Sequence, residues 1–223
     1  MITLYTVAVF FHIILFVFWL GADLGVAIAG ANFRKHKTYS IPERLAILKL
    51  LVAIDMGPRS AWALMIASTV TLLYLGGYWL LPLWAVAAAW VVSLLWLALV
   101  WRIHALGQDP RAKPLKTVES VLKWALAAAY LGLGAVSFLY DEPLAEDWLA
   151  AKAVLFGLIF VAAILIDVMF RPVGPLLLRL VEEGSSEATE GPLLATMNRS
   201  RFWVRVTYLL LVVTAFIGTT KAF

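Results

Sequence analysis

The sequence predicts an all-α, polytopic membrane protein: a single bundle of six transmembrane helices, with both termini on the outer side. Three observations carry this prediction. The 223 residues are 63% hydrophobic and only 14% charged, with a mean hydropathy of +0.92, outside the range of ordinary soluble domains. Six apolar segments, at about 3–31, 46–76, 79–103, 117–140, 148–170 and 203–220, are each long enough to cross a hydrocarbon core of roughly 30 Å. The connections between them alternate in charge. Arg34, Lys35, Lys37 and Arg44 follow the first segment, Arg102, Arg111, Lys113 and Lys116 the third, and Arg171, Arg179, Arg199 and Arg201 the fifth. On the opposite side lie the uncharged Gly76-Gly77-Tyr78 turn and the acidic Asp141, Glu142, Glu146 and Asp147 loop. The positive-inside rule puts the three basic loops in the cytoplasm.

The same facts exclude several classes of function. The net charge of +4 marks membrane orientation and does not point to nucleic acid. The chain has no cysteine, so disulfides, thiolate metal sites, iron–sulfur clusters and covalently attached haem are ruled out. Ala29-Gly30-Ala31 looks like a signal-peptide cleavage site. However, no Lys or Arg precedes Asp23 and the apolar run is too long for a signal peptide, so cleavage is not expected.

In the first segment His12, Phe16, Trp19 and Asp23 share one helical stripe, because residues four, seven and eleven apart fall on one face. His12 and Asp23 are then roughly 16 Å apart along the axis, which puts His12 near mid-membrane and Asp23 near one interface. Ionisable groups at such depth are costly and face the bundle interior. In the second segment Asp55 and Arg59 stand one turn apart around Pro58. They form either a self-neutralised pair at a kink or a functional pair. The third carries Trp84, Trp90, Trp96 and Trp101, which read as packing and interface anchors. His36 and His104 sit in or beside basic loops and read as solvated. Glu119 and Lys123 open the fourth segment and are spaced to pair near the interface. The fifth holds Lys152 near its outer end and Asp167 near its inner end. Lys152 either snorkels to the acidic loop or serves a site. Asp23, Asp55, Arg59 and Asp167 are expected to form one polar network in the cytoplasmic half, since isolated charges there are too costly. The connection at 172–202 reads as a short interfacial helix, broken at Gly184-Ser185-Ser186 and followed by a flexible link. Its glutamates, Glu182, Glu183, Glu187 and Glu190, read as a solvated face, with a partner-docking loop as the alternative.

Three pieces together carry a family resemblance: His12-Ile13-Ile14 followed by Trp19, Trp148-Leu149-Ala150-Ala151-Lys152 opening a helix, and Asn198 before a last apolar run, Tyr208-Leu209-Leu210-Leu211-Val212-Val213, that ends at Lys221. Over about half its length the chain resembles the membrane-embedded protoporphyrinogen oxidase family of bacteria (HemJ-type) and, more loosely, the CopD-like membrane proteins. The resemblance implies a bacterial inner membrane, a haem b cofactor and a functional pair formed by His12 and Lys152. The family has fewer helices, so residues 78–140 would be an inserted hairpin. It carries a further histidine late in the lysine-bearing helix, where this chain has Asp167, and no counterpart of Asp55-Met56-Gly57-Pro58-Arg59.

Three functions follow as expectations. The first is a haem b-binding oxidoreductase or electron-transfer protein. His12 is the axial ligand, Trp19 and Phe16 flank the macrocycle, Arg59 and Arg205 meet the propionates, and Lys152 is the base. The second axial position is open or taken by Lys152, Met56 or Met65, and a quinone or redox partner receives electrons. The second function is a CopD-like permease for a small cation or protons, built on Asp23, Asp55 and Asp167. Copper itself is disfavoured, because the chain has no Cys and no Met-x-x-Met pair. The third is a membrane anchor subunit of a redox complex, with a homo-oligomer also open. Against all three stands the reading of His12 as a structural histidine satisfied inside the bundle.

Overall fold

The structure is a computed structural model that describes residues 2–221. It is all-α. The helices are α1 (Leu4–Phe33), α2 (Ile41–Leu75), α3 (Leu83–Leu106), α4 (Ala112–Tyr140), α5 (Asp147–Phe170), α6 (Val173–Glu183) and α7 (Glu187–Thr220). Six of them, all but α6, are long and apolar enough to cross a membrane, so the chain is a multi-pass membrane protein with six spans. Their exposed surfaces are rich in large apolar side chains, among them Phe10, Phe18, Trp84, Leu95 and Phe216, as contact with lipid requires.

Neighbours pack in the order α1–α2–α3–α4–α5–α7, and α2 and α5 are the most enclosed. α3 leans mainly on α2 and α4 on α5, with little packing between α3 and α4. α3 and α4 are thus attached to different neighbours and hardly to each other. α2 runs through Pro58 as one helix. At the centre is an aromatic layer in which Trp19 stacks on Trp62 at 5.6 Å, and Trp62 meets Trp96 at 4.9 Å and Phe160 at 4.8 Å. The approach of α4 to α5 depends on glycine, since a Cβ at Gly134 would stand 2.8 Å from the Ala150 carbonyl oxygen.

The connection at 172–202 differs from the sequence expectation. Its first part is the short helix α6, whose Leu180 is buried with Phe33, Leu193 and Met197. Its second part is not a flexible link. Ser186 caps a helix through Thr189, and α7 starts at Glu187 instead of near 203. The local reading failed because the extension is held by tertiary burial of Leu193 and Met197, not by a long apolar run. Glu190 is likewise not part of a solvated face. It is buried against Arg44, whereas Glu182, Glu183 and Glu187 are exposed.

The basic loops and α6 lie at one end of the bundle, and the acidic 141–147 loop lies at the other. If basic loops set the orientation, Ser185→Cys and Glu142→Cys will react with a membrane-impermeant thiol reagent from opposite faces of sealed vesicles. Labelling of both from the same face would contradict it.

Candidate functional site

Two polar layers lie within the apolar bundle, one toward each end. In the layer nearer the acidic end, His12 projects from α1 and its Nδ1 is 2.9 Å from Ser68 Oγ on α2. The aromatic ring of Phe11 beside it packs on Trp90. With Nδ1 donating to Ser68, Nε2 keeps the free lone pair that binds a proton or a metal. Lys152 reaches in from α5, close enough for its charge to interact with His12. Its Nζ lies 5.8 Å from the Trp148 ring centre and against Gly218 of α7, where any added Cβ would collide with it. Lys152 forms no ion pair with the acidic loop among the described residues. Among the described residues, neither His12 nor Lys152 is paired with a carboxylate. Lys221, at the end of α7, covers the same Trp148 ring at 5.5 Å and donates to the Tyr78 hydroxyl at 2.8 Å.

The second layer lies toward the basic end. Arg59 Nε donates to Asp55 at 2.5 Å, and the charge of Asp23 on α1 acts on both. The Tyr208 hydroxyl of α7 donates to the Asp23 main-chain carbonyl at 2.9 Å, which ties α7 to α1. Lys123 of α4 is buried, with its Nζ 3.1 Å from Glu119 and 2.8 Å from Asp167 of α5. Arg59 is within electrostatic reach of both Glu119 and Asp167. Asp23, Asp55, Arg59 and Asp167 thus lie in one neighbourhood, joined by Lys123, Glu119 and Tyr208. The spacing of Glu119 and Lys123 announced their mutual pair, but not that Lys123 reaches across to α5. Trp62 spans the interval between the layers, with the Lys123 ammonium 5.4 Å from its ring centre.

The remaining residues expected around a haem are placed elsewhere. Trp19 is buried, with Trp62 stacked on it and Phe156 against it edge-on at 6.2 Å, so its ring belongs to the aromatic core. Arg59 is engaged by Asp55, and Arg205 is exposed on α7 without an ion pair among the described residues. Met56 and Met65 are buried in the same core. The donor set therefore fits haem at one point, the His12 imidazole held by Ser68. It does not fit the flanking role expected of Trp19 or the propionate roles expected of Arg59 and Arg205. No group of three His, Cys, Asp or Glu residues able to hold a bare metal ion occurs among the described residues. Ser68 and Tyr208 escaped sequence reading because a lone hydroxyl in an apolar run carries no periodic signal. Comparison with known proteins leaves the site to be read from its own geometry: no family model, curated protein or solved structure matches the chain.

Proposed function

We propose that this chain is an oxidoreductase of the bacterial inner membrane that works with haem b, as its resemblance to the HemJ-type oxidases implies. One observation supports the reading above the others: His12 and Lys152, far apart in sequence, come together without a carboxylate partner among the described residues, and Ser68 orients the imidazole. A bound haem supplies one-electron redox chemistry. His12 would hold it through Nε2 in the tautomer whose Nδ1–H donates to Ser68, a hydrogen bond that fixes the ring plane. Lys152, in apolar surroundings without a counter-ion, exchanges a proton with substrate as the base. The aromatic core around Trp19 and Trp62 excludes water from the layer's inner side. The inner-membrane assignment rests on the resemblance, and the basic loops with the positive-inside rule supply only the orientation.

The absorption spectrum of the purified protein, before and after dithionite, tests this reading. The expected result is a Soret band with split α and β bands on reduction. His12→Ala should abolish the bands, Ser68→Ala should shift them, and Lys152→Met should leave them in place while removing activity. Colourless protein that gains no His12-dependent spectrum on adding haem would refute it.

A second reading, a proton or small-cation permease, is favoured by the layer at the basic end. There Asp23, Asp55, Glu119 and Asp167 face only Arg59 and Lys123, an excess of carboxylates over cations. In proteoliposomes, proton uptake that Asp55→Asn and Asp23→Asn abolish, with no haem spectrum, would put this reading first.

A further inference from the structure

A groove of about 470 Å³ runs between α2 and α4 and is closed toward the acidic end by Trp79 and Pro143. It exists because α3 leans on α2 and α4 on α5, so the two outer helices splay. Its walls are almost wholly apolar, and it opens sideways past Val136, which is 45% exposed toward lipid. Two hydroxyls interrupt the apolar lining, those of Thr69 and Tyr130, and neither has a hydrogen-bond partner among the described residues. They lie roughly 9 and 15 Å along their helices from the ends at Leu75 and Tyr140. An unsatisfied hydroxyl at this depth is unfavourable. An acyl chain filling the groove would satisfy neither.

The Tyr130 ring also connects the groove to the central aromatic core. It meets Phe156 edge-on at 4.8 Å, and Phe156 meets Trp19 at 6.2 Å. Trp19 lies on the His12 stripe of α1.

We propose that this groove binds a lipid-soluble isoprenoid quinone. The head-group carbonyls accept hydrogen bonds from the Tyr130 and Thr69 hydroxyls, the flat ring lies in the apolar groove, and the isoprenoid tail leaves past Val136 into lipid. The site names the class of electron acceptor for the proposed oxidoreductase and rests on that reading for its redox sense only. Binding itself does not depend on haem.

Photo-crosslinking of the purified full chain with an azido-benzoquinone, followed by peptide mapping, tests the proposal. Label is expected on the α2 and α4 peptides that hold Thr69 and Tyr130. A short-tailed benzoquinone should displace it, and decanol or phospholipid should not. Tyr130→Phe and Thr69→Val should each weaken quinone binding about tenfold, the loss of one buried hydrogen bond. Gly132→Leu should block labelling without disturbing the fold, because a Cβ at Gly132 meets nothing within 4 Å. Label outside the groove, equal displacement by decanol, or undiminished labelling of Gly132→Leu would each overturn the proposal. A missing haem spectrum with intact groove labelling would instead refute the oxidoreductase reading alone.

Discussion

Arg44→Ala is expected to cost about 3–5 kcal/mol of stability, because it leaves a buried carboxylate without its cation. The Arg44 and Glu190 side chains are 1% and 5% exposed. The guanidinium donates from Nη1 and Nη2 to the two Glu190 oxygens at 2.5 and 3.0 Å, and from Nε to the Phe33 carbonyl at 2.8 Å. Ser185 adds a hydrogen bond to Glu190 at 2.8 Å, and the Phe33 ring lies under the guanidinium with its centre 4.8 Å away. One cluster thus joins the end of α1, the first turn of α2 and the start of α7, where the helix dipole also favours the Glu190 carboxylate. Thermal unfolding in detergent, followed by circular dichroism, measures the loss. The double variant Arg44→Met with Glu190→Leu should recover most of it, since an apolar pair of similar volume leaves no unpaired charge. If the double variant proves as unstable as the single, the ion pair is not the cause.

Gly134→Val is expected to cost roughly 3 kcal/mol, at the upper end of ordinary overpacking. A Cβ at Gly134 would lie 2.8 Å from the Ala150 oxygen and 2.9 Å from the Val154 nitrogen. These are backbone atoms of α5 and have no rotamer to give. At Gly157, on the α5 side of the same contact, a Cβ would stand 3.0 Å from the Leu131 nitrogen. Small residues are what let the two helices approach so closely. Forcing them apart should also strain the Lys123–Asp167 ion pair and the Tyr130–Phe156 contact, both of which cross from α4 to α5. Gly132→Ala supplies the control. It meets open space, so it should be neutral or gain up to about 1 kcal/mol from helix propensity. Equal losses at the two positions would show that the close approach is not what matters.

The sequence by itself determined the number of spans and, except for the start of α7, their approximate limits, because hydropathy and helix length are local quantities. It also determined which residues share one side of a helix: His12, Trp19 and Asp23 fall on one stripe because of the 3.6-residue repeat, whatever packs against it. Pairs one turn apart were legible for the same reason, as with Asp55–Arg59 and Glu119–Lys123. Only the tertiary structure decided what each stripe faces. Ser68 meets His12 across 56 residues of sequence and Glu190 meets Arg44 across 146, and no local pattern encodes either. Trp19 had the right position to line a cofactor, yet its partner is Trp62, because α2 brings a second ring to the same level. Glu190 sat among three exposed glutamates and was buried by the docking of α6 and α7 against α1. In a membrane, apolarity drives every helix into lipid alike, so it cannot choose among neighbours. That choice is made by small residues, aromatic shape and buried polar pairs, which act only once the helices meet.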